Sequence, residues 1–256
     1  MWPPLRIWHA GAVGTASENS CAALDSALRD GAEAIVIEVR VSAAGDPVIN
    51  HHAPLKRTVG GEGDAENTCG RIGSLADILL WVREQKCMAF VAIDNANRGA
   101  EATVVNEIAR AKVLPLTRVI ACDVPGLRRP CKLDAKVHLG LRFSGRPPAL
   151  RQVKALGAEV LLPHRTAAPL SFIHRAHQAQ MLVIPWTVDS PREIRRAVLE
   201  GVDGIITKHL ANLAEAVASL RNIWPAERQG REQPGFSVFS AKNSSSLSPL
   251  RARDVM

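Results

Sequence analysis

Along residues 5–220, short apolar runs alternate with stretches whose apolar residues recur every three or four positions, the rhythm of strands exchanging with amphipathic helices. LRIWH at 5–9 reads as a strand that delivers His9 into a turn beginning Ala10-Gly11. Ser20 precedes CAALDSALRDG, whose pattern predicts a helix stopped at Gly31. A strand over 34–41 and the segment PVINHH follow. Residues 53–74 are polar and glycine-rich, a longer loop than a simple connection requires, and such loops are usually functional. Leu75, Ile78, Leu79 and Val82 then mark a helix, and residues 90–93 a strand leading into Asp94. The alternation continues with a helix at 100–112, a strand at 118–122, the segment PGLRRPCKLDA, and a strand at 137–143. A helix at 147–156, a strand at 159–163, a helix at 168–179 and a strand at 181–188 come next. The series closes with a helix at 191–200, a strand at 204–207 and a helix carrying Leu213, Val217 and Leu220.

Eight such strand-and-helix units in one run predict an α/β fold of the (β/α)₈ TIM-barrel type over residues 1–224. An open doubly wound sheet would alternate in the same way. It would also carry a glycine-rich phosphate fingerprint after a strand, and none of these strands is followed by one. In a barrel the working residues stand at the C-terminal ends of the strands. His9, Glu38, Arg40, Asp94 and Trp186 all fall at or near such ends.

Composition narrows the class. A chain of 256 residues, 46% hydrophobic, suits one large domain. Residues 225–256 are rich in Ser, Gly, Gln and charge without aliphatic periodicity, and are expected to form a disordered tail. No window approaches the length of an apolar membrane span and the N-terminal stretch lacks a basic-then-apolar leader pattern, so a cytoplasmic protein without an integral membrane segment is expected. Five cysteines without a CxxC pair argue against a disulfide framework or structural zinc. The net charge of +7 comes without basic blocks interleaved with aromatics. It therefore points to a small anionic substrate rather than to nucleic acid. Oligomeric state leaves no trace in the sequence.

The chemistry concentrates in residues 35–52, IVIEVRVSAAGDPVINHH. Glu38 and Arg40 are two apart on a strand and so share a face. His51 and His52 follow after a Gly-Asp-Pro turn, and on an extended segment they point opposite ways, which leaves His52 the neighbour rather than the partner. Two histidines at one barrel mouth, with a carboxylate and an arginine, suit phosphodiester cleavage. One imidazole takes the proton of the attacking oxygen, the other gives one to the leaving oxygen, and a cation balances the phosphoryl charge.

Several segments, in order, resemble the glycerophosphodiester phosphodiesterase family of PLC-like phosphodiesterase TIM barrels. His9-Ala10-Gly11 stands where that family has His-Arg-Gly, and Ser17-Glu18-Asn19-Ser20 where it has Pro-Glu-Asn-Thr. Glu38-Val39-Arg40 corresponds to Glu-x-Asp. Val48 to His52 followed by Leu55-Lys56-Arg57-Thr58 is similar to Val-x-x-His-Asp and Leu-x-Arg-Thr. Trp186-Thr187-Val188-Asp189 and Gly201-Val202-Asp203-Gly204-Ile205-Ile206-Thr207-Lys208 resemble Trp-Thr-Val-Asn and Gly-Val-Asp-Gly-Ile-Ile-Thr-Asp. The resemblance implies a divergent member that hydrolyses glycerophosphodiesters to glycerol phosphate and an alcohol. His9 and His51 would be the acid/base pair, with Trp186 and Glu18 lining the substrate site. It also implies a divalent ion, calcium or magnesium, on Glu38 and Asp94. Arg40 occupies the position of a ligand there, and a guanidinium cannot ligate a metal.

Two readings follow from that departure. Arg40 replaces the ion and holds the phosphate as a fixed cation, to which its planar fork is suited. Alternatively the site has decayed, Arg40 pairs with Glu38 or Asp94, and the barrel binds a phosphorylated ligand or partner without turnover. An unrelated barrel enzyme such as a sugar-phosphate isomerase ranks below both. The loops beginning Asp189-Ser190-Pro191 and Lys208-His209-Leu210 lack the small turns of a phosphate grip.

Overall fold

A computed structural model describes residues 3–9, 21–41, 47–49, 74–93, 100–134 and 136–220. Strands β1 (Leu5–His9), β2 (Ala34–Val41), β4 (Met88–Ile93), β5 (Thr117–Ala121), β6 (Leu139–Phe143), β7 (Ala158–Pro163), β8 (Leu182–Val183) and β9 (Gly204–Thr207) form one parallel sheet in the order β8-β7-β6-β5-β4-β2-β1-β9. A short strand β3 (Pro47–Ile49) folds back antiparallel on β2. Helices α1 (Cys21–Arg29), α2 (Leu75–Gln85), α3 (Ala100–Ala111), α4 (Val124–Leu133), α5 (Leu150–Ala155), α6 (Leu170–Gln178), α7 (Pro191–Glu200) and α8 (Leu210–Leu220) alternate with the eight parallel strands. This is the expected (β/α)₈ barrel.

Local sequence sets where the helices begin and end. Ser74 caps α2 with a reciprocal pair: its hydroxyl accepts from the Asp77 N–H at 3.2 Å, and the Asp77 carboxylate accepts from the Ser74 N–H at 3.3 Å. Asp123 caps α4 through the Gly126 N–H at 2.6 Å, with Pro125 in the first turn, where its missing N–H costs nothing. Ser190 and Pro191 open α7 in the same way, and Gly201, at φ 78°, ends it in the left-handed conformation that glycine adopts without strain.

The period-two alternation of the strands sorts side chains into two cores. Leu5, Ile7, Ala34, Val36, Met88, Phe90, Ala92, Ile120, Val160, Leu162, Ile184 and Ile206 fill the barrel interior. The intervening strand residues, such as Trp8, Ile35, Ile37, Val91 and Leu161, pack outward against the helices. Gly140 of β6 is required by this filling, since a Cβ there would sit 2.5 Å from the Ile120 Cδ1 and 3.2 Å from the Val160 carbonyl oxygen.

The expected strand over 181–188 is reduced to two residues, and Pro185 gives the reason. Alternate N–H groups of this segment face β7 and β9. The Ile184 and Trp186 N–H groups donate to Leu161 O and Pro163 O at 2.8 and 3.0 Å, but at Pro185 the N–H due to face β9 is missing. Closure is achieved by individual bonds instead. Asp203 N donates to Val183 O at 2.9 Å, Ile206 N to Pro185 O at 3.1 Å, and Val188 N to Ile206 O at 2.9 Å. The Asp203 carboxylate completes the seam by accepting from Val183 N at 2.7 Å and pairing with His177 Nε2 at 2.8 Å.

Candidate functional site

His9, Glu38 and Trp186 reach the C-terminal mouth of the barrel because each continues the inward register of its strand. His9 follows Leu5 and Ile7, Glu38 follows Ala34 and Val36, and Trp186 follows Leu182 and Ile184. His9 is buried, and its Nε2 lies 3.8 Å from Glu38 Oε1. Arg40, the next inward position on β2, is paired with Val48 of β3 and is exposed at the rim.

Two residues the sequence reading did not single out join them. Arg142, at the inward position after Gly140, stretches across the mouth and donates from Nη1 to Glu38 Oε1 at 2.7 Å. Its Nη2 lies 3.2 Å from Cys122 Sγ, and Cys122 Sγ in turn lies 3.3 Å from the Ile93 carbonyl. The Arg142 guanidinium carbon also stands 5.2 Å from the centroid of the Trp186 ring, a cation–π arrangement. Burial alone would lower the proton affinity of Arg142, but Cys122 and the Glu38 carboxylate outweigh it and hold the group above the usual arginine range.

Trp186 is fixed from several sides. Its indole N–H donates to Leu162 O at 2.9 Å, and its carbonyl accepts from Arg165 N at 2.8 Å. His164 meets it edge-on with ring centroids 5.5 Å apart. The loop beyond is tied down by Asp189, whose Oδ1 accepts from Thr207 Oγ1 at 3.1 Å and from Lys208 N at 2.8 Å. The Trp-Thr-Val-Asp and Gly-to-Lys segments thus meet through Asp189 and Thr207. His51, Glu18, Asp94 and His52 lie outside the described residues.

The family model described as "Glycerophosphoryl diester phosphodiesterase family" matches residues 9–85 and 118–212, well over half of the chain. The chain belongs to this family. A glycerophosphodiester phosphodiesterase of Caldanaerobacter subterraneus subsp. tengcongensis is 24% identical to this member, over 79% of this chain and 93% of the relative. Among solved structures, a glycerophosphodiester phosphodiesterase from Parabacteroides distasonis superposes with a TM-score of 0.70 at 20% identity, covering 85% of this chain and 98% of the other. A phosphodiesterase from Oleispira antarctica, in complex with its product sn-glycerol-3-phosphate, superposes at 0.69 and 20% identity, covering 84% and 97%. The fold of this family member is that of those barrels, and the chain is a hydrolase of the glycerophosphodiester phosphodiesterase kind by family. No helix among the described residues is long and apolar enough to cross a membrane.

The divalent ion implied for Glu38 and Asp94 meets a poor reception among the described residues. No three His, Cys, Asp or Glu side chains converge there, and Glu38 Oε1, the described donor, already receives the Arg142 guanidinium. A divalent ion on the other oxygen of Glu38 would stand beside the fixed positive charge of Arg142. Of the implied pair, the described residues supply Glu38, and Asp94 lies outside them.

Proposed function

We propose that this family member is a phosphoric diester hydrolase that cleaves glycerophosphodiesters to glycerol phosphate and an alcohol. The observation that carries the reading is the placement of His9 beside Glu38 at the barrel mouth, facing a guanidinium and an indole wall. His9 and His51 act as the acid/base pair. Glu38, at 3.8 Å, is placed to stabilise the His9 imidazolium when it has taken up a proton. Arg40 contributes positive charge from the rim, where its exposure lets it meet an anionic diester arriving from solvent. Trp186 presents an apolar wall to the alcohol part of the substrate, and Glu18 takes part in binding it. The phosphoryl charge is met by cationic side chains, with Arg40 standing in for the usual metal. A small phosphodiester is the substrate, and the protein works in the cytoplasm in lipid breakdown.

The test is turnover of glycerophosphocholine by the purified full chain with a chelator present, following glycerol phosphate and choline. Release of both products in equal amounts, lost in His51→Ala, supports the reading. No release from any glycerophosphodiester, with or without added calcium or magnesium, would favour the alternative, a barrel that binds a phosphorylated ligand without turnover.

A further inference from the structure

The geometry points to Arg142 as the phosphate anchor of this site, the residue that takes an anionic phosphoryl oxygen of the substrate. The inference rests on the reading of the barrel as a phosphodiesterase and names the group that grips its substrate. Three observations carry it.

The first is position. Arg142 occupies the inward register of β6 directly above Gly140, at the strand end where barrel sites are built, and extends to Glu38 on a strand 104 residues earlier in the chain. The guanidinium therefore lies over the centre of the mouth rather than at its rim. Its side chain keeps 17% exposure.

The second is pre-organisation. Glu38 fixes one end of the fork, Cys122 the other, and the Trp186 ring carries its face. Holding the group in place before substrate arrives removes the ordering cost that a mobile surface arginine would meet. These bonds use two of the five N–H donors of a guanidinium, leaving donors to offer a phosphoryl oxygen.

The third is charge. Glu38 is the acid that the described residues place at this mouth, and it is bonded to Arg142. Around the pair stand His9, His164 and, at the rim, Arg40. Among the described residues, an arginine meeting one carboxylate beside these groups keeps an attraction for a dianionic or monoanionic phosphate. A purely structural bridge across a barrel would be expected to be sealed from solvent and electrically neutral in its surroundings.

The test compares wild type with Arg142→Met and Arg142→Lys in the full chain. It reads kcat/KM for glycerophosphocholine under chelation and the Kd for inorganic phosphate by calorimetry, with thermal melting as the control for folding. The expected result for Arg142→Met is a fall in kcat/KM of about 10²–10³-fold, the range for removing one fixed donor from a developing charge. Phosphate binding should weaken about tenfold or more, and Arg142→Lys should lie between. Because either variant can fail to fold, protection of Arg142 from phenylglyoxal by saturating phosphate is measured on the wild type by peptide mapping. Unchanged phosphate affinity in a folded Arg142→Met protein, or equal modification of Arg142 with and without phosphate, would overturn the inference. Absence of turnover in wild type would instead fail the phosphodiesterase reading, while phosphate affinity and protection still decide the role of Arg142.

Discussion

Replacing Asp203 by alanine should open the barrel seam. Asp203 is 4% exposed, and its carboxylate oxygen Oδ2 accepts from Val183 N at 2.7 Å and pairs with His177 Nε2 at 2.8 Å. Pro185 has already removed one N–H from the same edge, so the Asp203 side chain supplies the acceptor for the remaining donor. Alanine leaves the buried Val183 N–H without that acceptor, a penalty of about 1–3 kcal/mol. The His177 ring is 35% exposed, and losing its pairing adds up to about 1 kcal/mol. A loss of roughly 1–4 kcal/mol follows, which for a domain of this size lowers the melting temperature by about 2–16 °C. Asp203→Asn keeps an oxygen for Val183 N and should lose only about 1 kcal/mol, and His177→Ala no more than that. Urea denaturation followed by circular dichroism measures all three. A loss under about 1 kcal/mol for Asp203→Ala, or one equal to that of Asp203→Asn, would refute the assignment of the seam to this carboxylate.

Gly140→Ala should cost about 1–3 kcal/mol through overpacking, because the added Cβ meets the Val160 carbonyl oxygen at 3.2 Å as well as Ile120, and it should also lower activity by tilting Arg142 above it; a melting temperature at or above wild type would contradict this. Glu159 pairs with His138 Nδ1 at 3.0 Å, and that bond, opposed by partial burial and helped by the His138 and Arg118 charges, holds its carboxyl below the usual range. The native state then binds fewer protons than the unfolded chain between the lowered value and the ordinary glutamate value of about 4.3. The contribution of Glu159 is present above that window and lost as pH falls through it, so the stability gap between wild type and Glu159→Gln should shrink on acidification; a gap that widens would be the contrary result. Cys87 is buried, and desolvation reinforced by Glu33 pushes its thiol up to about 12, so peptide mapping after iodoacetamide at pH 8 should find it unmodified in the native protein and labelled after unfolding.

How much of this was legible in the sequence depends on which physical signal each feature leaves. The barrel was legible because its strands are buried on both faces and its helices on one, two patterns that differ in period. The seam was not, because MLVIPWTV is as apolar as any strand, and only the spatial relation of Pro185 to β9 shows which N–H is lost. His9, Glu38 and Trp186 were found by motif and register, and the structure brings them to one mouth. The expectation that Glu38 and Arg40 share a strand face follows from β2; Glu38 receives the guanidinium of Arg142, and Arg40 is exposed at the rim. Arg142 escaped notice because a polar residue ending VHLGLRF looks like an ordinary strand terminus. Its signal was the glycine two residues earlier on the inward face, which marks an interior position and makes the arginine the next layer up. Cys122 gave even less, as a thiol after an apolar strand is most often packing. The long loop at 53–74, apart from its last residue, and the tail at 225–256 lie outside the described residues.

The placement of His9 as a proton-transfer group is tested most directly by the rate of glycerophosphocholine hydrolysis in His9→Ala against wild type, at pH 7 with chelator present and with folding checked by thermal melting. Wild-type turnover, and a folded variant slower by about 10²–10⁴-fold, is the predicted result. A folded His9→Ala protein that hydrolyses the diester at the wild-type rate would contradict it.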